Sequence, residues 1–223
     1  MIVRLGTAPR RDGLTPEQFQ HHWRTSHADV VSTMPGLRRY QQMHAVLAEG
    51  EPMLPDPGFD ACSLLRFDSV AGMDAAFASP QFLEAVQDDE AEFVDKSRFR
   101  GVMGTWSAPD LAELDDLGEV LVLTLWRADD GTTARELADR LRGAVDGPSG
   151  AIVADPDAHA TRFPAMADVV TVAGYPDPAA AAAGAARTRA ADVPAQVVGE
   201  HLARVVDVPV GAPTDQENGR TDA

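Results

Sequence analysis

The sequence predicts an α+β protein built from two tandem β-α-β-β-α-β halves, and three observations carry that prediction. Strand-like and helix-like segments follow this order through Trp106, a stretch of linker composition from Ala108 to Gly118 interrupts them, and the order restarts at Glu119. It is the split βαβ arrangement of ferredoxin-like domains. The expected bounds are 1–108 for the first domain, 109–118 for the linker, 119–210 for the second domain and 211–223 for a polar, disordered tail. A four-stranded sheet with both helices on one face leaves its other face bare, so the two sheets are expected to pack on each other.

The first strand is Ile2-Val3-Arg4-Leu5. A helix starts at Thr15, whose side chain and that of Gln18 suit a capping box, with Pro16 at a position whose N–H needs no partner. At about 100° per residue, Phe19, Trp23, His27, Val30 and Met34 fall within roughly 80° and form one buried stripe. His27 then faces the core. His22 lies about 60° outside the stripe and His21 about 160° from its centre, toward rim and solvent. Leu37 to Val46 reads as a strand whose alternation puts Tyr40, Gln42 and His44 on one face and Arg39, Gln41 and Met43 on the other. A proline-rich connection, Glu49 to Gly58, leads to a third strand from Asp60 to Asp68. A helical region from Ser69 to Asp95 is broken at Ser79-Pro80, where the proline opens a second helix. Arg98 to Trp106 closes the half.

In the second half, Glu119 to Trp126 is a strand, and Thr133 with Glu136 caps a helix whose Leu137, Leu141 and Val145 share a stripe. A strand is expected between the Ala151 and Arg162 regions, where the pattern is weak. Ala167 to Ala173 is a clear strand, Pro178 to Ala191 an alanine-rich helix and His201 to Val208 the closing strand.

Composition limits the function classes. The chain has 223 residues, 44% hydrophobic and 24% charged, ordinary values for a globular protein. No apolar run reaches membrane-spanning length, and the N-terminus shows no charged-then-apolar leader, so a cytoplasmic protein is expected, with no membrane partner. A formal net charge of −16 repels phosphate backbones, so nucleic acid is not an expected partner. A single cysteine, Cys62, excludes an internal disulfide, and Lys96 is the only lysine open to Schiff-base chemistry. No phosphate-binding glycine loop is present. No histidine or carboxylate spacing suits a metal: His22 and His27, five apart on a helix, diverge by about 140° and should not share one ion. Neither a cofactor nor a metal is expected.

What remains is an imidazole, a phenol and an amide converging in apolar surroundings, the kind of group that orients a small molecule and moves protons. A satisfied core histidine and a solvated strand face are the competing readings of the same residues. Trp106, Trp126, His159 and His201 are read as packing or structural residues, and Asp88-Asp89-Glu90 as a solvated helix face.

The run Arg10-Arg-Asp-Gly13-Leu14-Thr15 with Phe19, His22-Trp23 and His27, then Pro35-Gly36-Leu37-Arg38-Arg39-Tyr40 and His44, resembles the EthD family of the dimeric α/β-barrel superfamily. The likeness extends to Asp60, Phe67-Asp68-Ser69, Ser79-Pro80 and Phe93-Val94-Asp95, covering about residues 1–106. The second half resembles a diverged copy without the Trp-x-x-x-His helix or the Tyr-x-x-x-His strand. The resemblance implies an α/β barrel closed within one chain, an intramolecular pseudo-dimer able to pair further as a homodimer, with one ligand cavity in the N-terminal half. His27 would do chemistry, Tyr40, His44 and Asp60 would be its neighbours, and Trp23 would wall the cavity, with Phe19, Gln42 and His22 as further substrate-binding positions. The leading expectation is a cofactor-independent lyase or isomerase acting on a small aromatic or hydroxylated metabolite. His27 would serve as general acid/base, Asp60 or His44 would orient it, and Tyr40 would hydrogen-bond an oxyanion. The alternatives are a non-catalytic binding or accessory protein and a heme-binding barrel.

Overall fold

The computed structural model describes residues 1–54, 57–107, 117–160 and 162–211. Most of the expected linker and all of the expected tail beyond Gly211 lie outside the described residues.

The first half runs β1 (Ile2–Ala8), α1 (Pro16–His22), a π-helical turn (Trp23–His27), α2 (Ala28–Ser32) and β2 (Arg39–Ala45). A small hairpin of β3 (Leu47–Ala48) and β4 (Glu51–Pro52) precedes β5 (Ala61–Phe67). Then come α3 (Val70–Phe77), a second π-helical segment (Gln81–Val86), α4 (Gln87–Phe93) and β6 (Gly101–Ser107). The second half consists of β7 (Val120–Ala128), α5 (Ala134–Leu141), β8 (Ser149–Ala154), α6 (Pro156–His159), β9 (Val169–Tyr175), α7 (Pro178–Arg189) and β10 (Ala195–Val208). The weakly patterned strand is therefore β8, earlier than the sequence suggests. The closing strand is longer than expected, with a bulge between Val197 and Gly199.

Each half has the ferredoxin-like strand order, β6-β1-β5-β2 and β10-β7-β9-β8, all antiparallel. The sheets do more than pack face to face. Their edges also pair, β2 with β10 and β6 with β8, so the eight strands close into one barrel without an open edge. The second seam is tight: a Cβ at Gly104 would lie 1.9 Å from the Val153 carbonyl oxygen. Alternation sends Val3, Leu5, Met43, Cys62, Leu64, Leu121, Leu123, Ile152, Val170 and Val172 into the barrel interior. Cys62 is a small buried hydrophobe there, as expected. The outward faces carry the helices, with Ile2, Tyr40, Leu65 and Phe67 under those of the first half and Trp126, Leu137 and Leu141 packed together in the second. No helix among the described residues is long and apolar enough to cross a membrane.

Local sequence explains the starts of the helices. Thr15 and Gln18 form the capping box before α1, Thr133 and Glu136 the one before α5, and Ser69 and Asp177 cap α3 and α7. The interior of the first helical segment departs from expectation. The Trp23 carbonyl accepts from Gln42 Nε2 at 2.7 Å, and the Thr25 hydroxyl donates to the His21 carbonyl at 2.8 Å, so side chains enter the backbone ladder where the π-helical turn forms. The wider turn delays the helical phase. Phe19, Trp23 and His27 are buried as the stripe predicts, but it continues through Val31 rather than Val30 to Met34.

Candidate functional site

The site lies between the outward face of β1 and β5 and the two helical segments of the first half. A cleft of about 290 Å³ is lined by Trp23 and His27 from one segment, Phe82, Gln87 and Glu90 from the other, and Arg4 and Ser63 from the sheet. His27, Ser63, Phe82 and Glu90 also border a recess of about 30 Å³ that reaches Tyr40. The volume is at the small end of ligand pockets.

His27 is 6% exposed, and its Nδ1 lies 2.7 Å from Asp89 Oδ2. His22 Nε2 lies 2.8 Å from the other oxygen of the same carboxylate. An ionised carboxylate only accepts, so each histidine donates its N–H to Asp89, and the His27 nitrogen left for a ligand is Nε2. Burial opposes the charge on Asp89, but hydrogen bonds from His27 and His22, with their charges, outweigh it and hold the carboxyl below the usual range. Phe93 supports both rings, 5.1 Å from His27 and 4.5 Å from His22 between centroids.

This arrangement corrects two expectations. On a regular α-helix His22 and His27 diverge, whereas the π-helical turn, with its i→i+5 bonding, stacks residues five apart and presents both to one partner. That partner is a side chain, not an ion. Among the described residues no group of three or more His, Cys, Asp or Glu is placed to hold a metal. The acidic run of α4 is not uniformly solvated either: Asp88 is exposed, Asp89 binds the histidines, and Glu90 lines the cleft with Lys96 Nζ 3.0 Å away.

The other sequence-derived positions separate into layers. Tyr40, Gln42 and His44 do share the outward face of β2, beneath Trp23. Gln42 Nε2 donates to the Tyr40 oxygen at 2.8 Å and to the Trp23 carbonyl, and His44 Nε2 donates to Gln42 Oε1 at 2.9 Å. Burial pushes the Tyr40 phenol far above its ordinary value, so it can donate a proton in a hydrogen bond but does not ionise near neutrality. Burial, with the positive charges of Arg24 and His201, lowers His44 to about 3. His44 is sealed under the Trp23 ring, 4.8 Å between centroids, and lines neither cavity. Phe19 is packed behind Trp23 and Phe93. Asp60 is not paired with His27. It accepts from the backbone and side chain of Arg10, both at 2.8 Å, and so fixes the connection between β1 and α1.

Trp126 donates to Thr171 at 2.9 Å, and His159 bridges the Met103 N–H and the Phe163 carbonyl at 2.8 Å each, consistent with structural roles. Sequence reasoning missed Asp89, the partner of His27, and cleft-lining residues that include Glu90, Ser63, Phe82, Gln87 and Arg4. Only Arg4 carried a signal, as a lone charge inside an apolar strand.

A family model for the EthD domain matches residues 11–97, a span that holds both His27 and Asp89. The chain carries an EthD domain. No curated protein matches the chain. Among solved structures, an anthrone oxidase-like protein is 14% identical over 95% of this chain and 94% of its own, with a TM-score of 0.61. A candidate chlorite dismutase, TA0507, is 14% identical over 93% and 95%, with a TM-score of 0.54. A candidate monooxygenase from Lactobacillus acidophilus NCFM is 9% identical over 95% and 96%, with a TM-score of 0.50. At these identities the likeness is one of fold, and it covers both halves, so the EthD domain and the segment after it together make up the shared barrel.

Proposed function

We propose that the EthD domain is a cofactor-independent acid–base catalyst, a lyase or isomerase acting on a small aromatic or hydroxylated metabolite held in the cleft beside His27. One observation carries this reading: Asp89 holds Nδ1 of His27, which leaves Nε2 as the ring nitrogen open to a ligand on a side chain that borders a cavity walled by Trp23 and Phe82. An imidazole oriented by a carboxylate is a general base whose conjugate acid is stabilised by that carboxylate. Nε2 would take a proton from the bound molecule and return it at another atom. Tyr40, reached through the inner recess, would donate a hydrogen bond to oxygen charge that develops meanwhile. Asp89 takes the orienting role here, while Asp60 and His44 act on the scaffold.

At about 290 Å³ the cleft is small for a heme, which favours a smaller ligand.

The test is solvent exchange. The protein is incubated in D2O with a panel of phenolic acids and cyclic 1,3-diketones, and deuterium incorporation is followed by mass spectrometry and proton NMR. The wild type should speed exchange or conversion of at least one compound, and His27→Asn should abolish it. Binding without exchange would favour a carrier, and undiminished exchange in His27→Asn would overturn the mechanism.

A further inference from the structure

The guanidinium of Arg4 borders the same cleft as His27 and makes no direct ion pair with a carboxylate among the described residues. Alternation puts Arg4 on the outward face of β1, in the layer between sheet and helices. Its Cζ lies 4.4 Å from the centroid of Phe77, 5.1 Å from that of Phe99 and 5.9 Å from that of Phe163, the last supplied by the second half of the chain. Gly6, two residues along the strand, makes room for the head group: a Cβ there would lie 2.9 Å from Arg4 Nη1 and 3.2 Å from Ser63 Oγ. Burial lowers Arg4 to about 10 against the opposing charge of Glu90, so it remains a cation at neutral pH.

The missing partner is informative because this chain is rich in acids, 35 Asp and Glu against 19 Lys and Arg. Several half-exposed arginines are paired, Arg38 with Asp68, Arg98 with Asp95, Arg142 with Asp139 and Arg187 with Asp146. Arg4, in the floor of a cleft, makes no ion pair or side-chain hydrogen bond among the described residues. Glu90 is taken by Lys96. Aromatic rings can satisfy the faces of a guanidinium, but its N–H groups point in the plane and need acceptors. A mostly buried cation without a protein acceptor must take one from water in the cleft or from a ligand.

We infer that Arg4 is the subsite for a carboxylate, and that the ligand of the cleft is a small aromatic acid whose ring lies against Trp23 and Phe82 while its acid group meets the guanidinium beside Ser63. Arg suits this role because its planar fork matches the two oxygens of a carboxylate. The inference rests on the proposed use of the cleft as a ligand site and narrows its substrate class, but it does not depend on His27 acting as a base.

Salicylate and salicylamide are probes of nearly equal shape that differ in charge. Titrated against the full chain, with tryptophan fluorescence and calorimetry as readouts, salicylate should bind about tenfold or more tightly than the amide, the expected effect of a charge-assisted pair. Arg4→Met keeps the volume among the three rings and should erase that preference, while Arg4→Lys should keep part of it. His27→Asn should retain the preference while losing solvent exchange, which separates failure of the ligand assignment from failure of the mechanism. Equal binding of acid and amide, no binding of the acid, or a preference that survives in folded Arg4→Met would overturn the assignment.

Discussion

Replacing Asp89 by Asn separates what the carboxylate does for the fold from what it does for the chemistry. Asp89 accepts at 2.7 Å from His27 and 2.8 Å from His22, and its side chain is only 13% exposed, so both bonds form in a poorly solvated layer. A hydrogen bond to a charged group contributes about 1.5–3 kcal/mol, and the outer one, to the half-buried His22, belongs at the low end. Asparagine keeps one neutral acceptor, worth about 1 kcal/mol, and turns a donor toward the other ring, so the net loss is about 2–4 kcal/mol. For a chain of this size that lowers the melting temperature by about 5–15 °C. The pH dependence has a definite sign. The folded carboxyl of Asp89 titrates below its unfolded value of about 4, so its contribution is complete above that value and disappears as the pH falls through the lower folded one. The wild-type advantage over Asp89→Asn should therefore hold at neutral pH and shrink in acid. Urea unfolding at a series of pH values measures it, and nitrogen-15 NMR of the imidazoles reports whether His27 still carries its proton on Nδ1. An Asp89→Asn protein as stable as the wild type, with an unchanged His27 tautomer, would refute the reasoning.

The buried layer under Trp23 gives the next two predictions. Gln42→Leu leaves the Tyr40 hydroxyl, the Trp23 carbonyl and His44 Nε2 without their partner, and should destabilise by about 2–4 kcal/mol in chemical unfolding while also weakening the π-helical turn. His44 stays neutral in the fold down to about 3, yet its unfolded value is about 6.5, so the unfolded state gains a proton first and stability falls as the pH drops between the two. His44→Leu should flatten the stability–pH curve over that window, by at most about 1.4 kcal/mol per pH unit. At the second seam, Gly104→Ala drives a methyl group into the Val153 backbone, so β6 and β8 should part and the protein should lose its cooperative thermal transition. Trp23→Ala should cost about 3–5 kcal/mol, measured by urea titration, and open His44 to solvent.

Much of the fold was legible because its signals are local. Thr15 with Gln18 and Thr133 with Glu136 mark helix starts through their own hydrogen bonds, and two-residue alternation assigns Tyr40, Gln42 and His44 to one face wherever the strand is placed. The site was legible only on one side. That His27 turns inward follows from its stripe, but its partnership with His22 depends on a π-helical turn stabilised by Gln42, about twenty residues later in the chain. Asp89 looks in sequence like its solvated neighbour Asp88, and only the packing of α4 against that turn distinguishes them. The pairing of β2 with β10 and β6 with β8 is equally non-local, since edge strands carry no mark of which edge they will meet.

Covalent joining of the two halves has a consequence of its own. In a barrel assembled from identical subunits every substitution is made twice, so neither copy can give up its chemistry without the other. Here the second half has no counterpart of the His27-bearing helix and sets a phenyl ring, Phe163, beside Arg4 of the first. A single chain thus permits an asymmetry that a barrel of identical subunits would forbid, since each half can vary without the other.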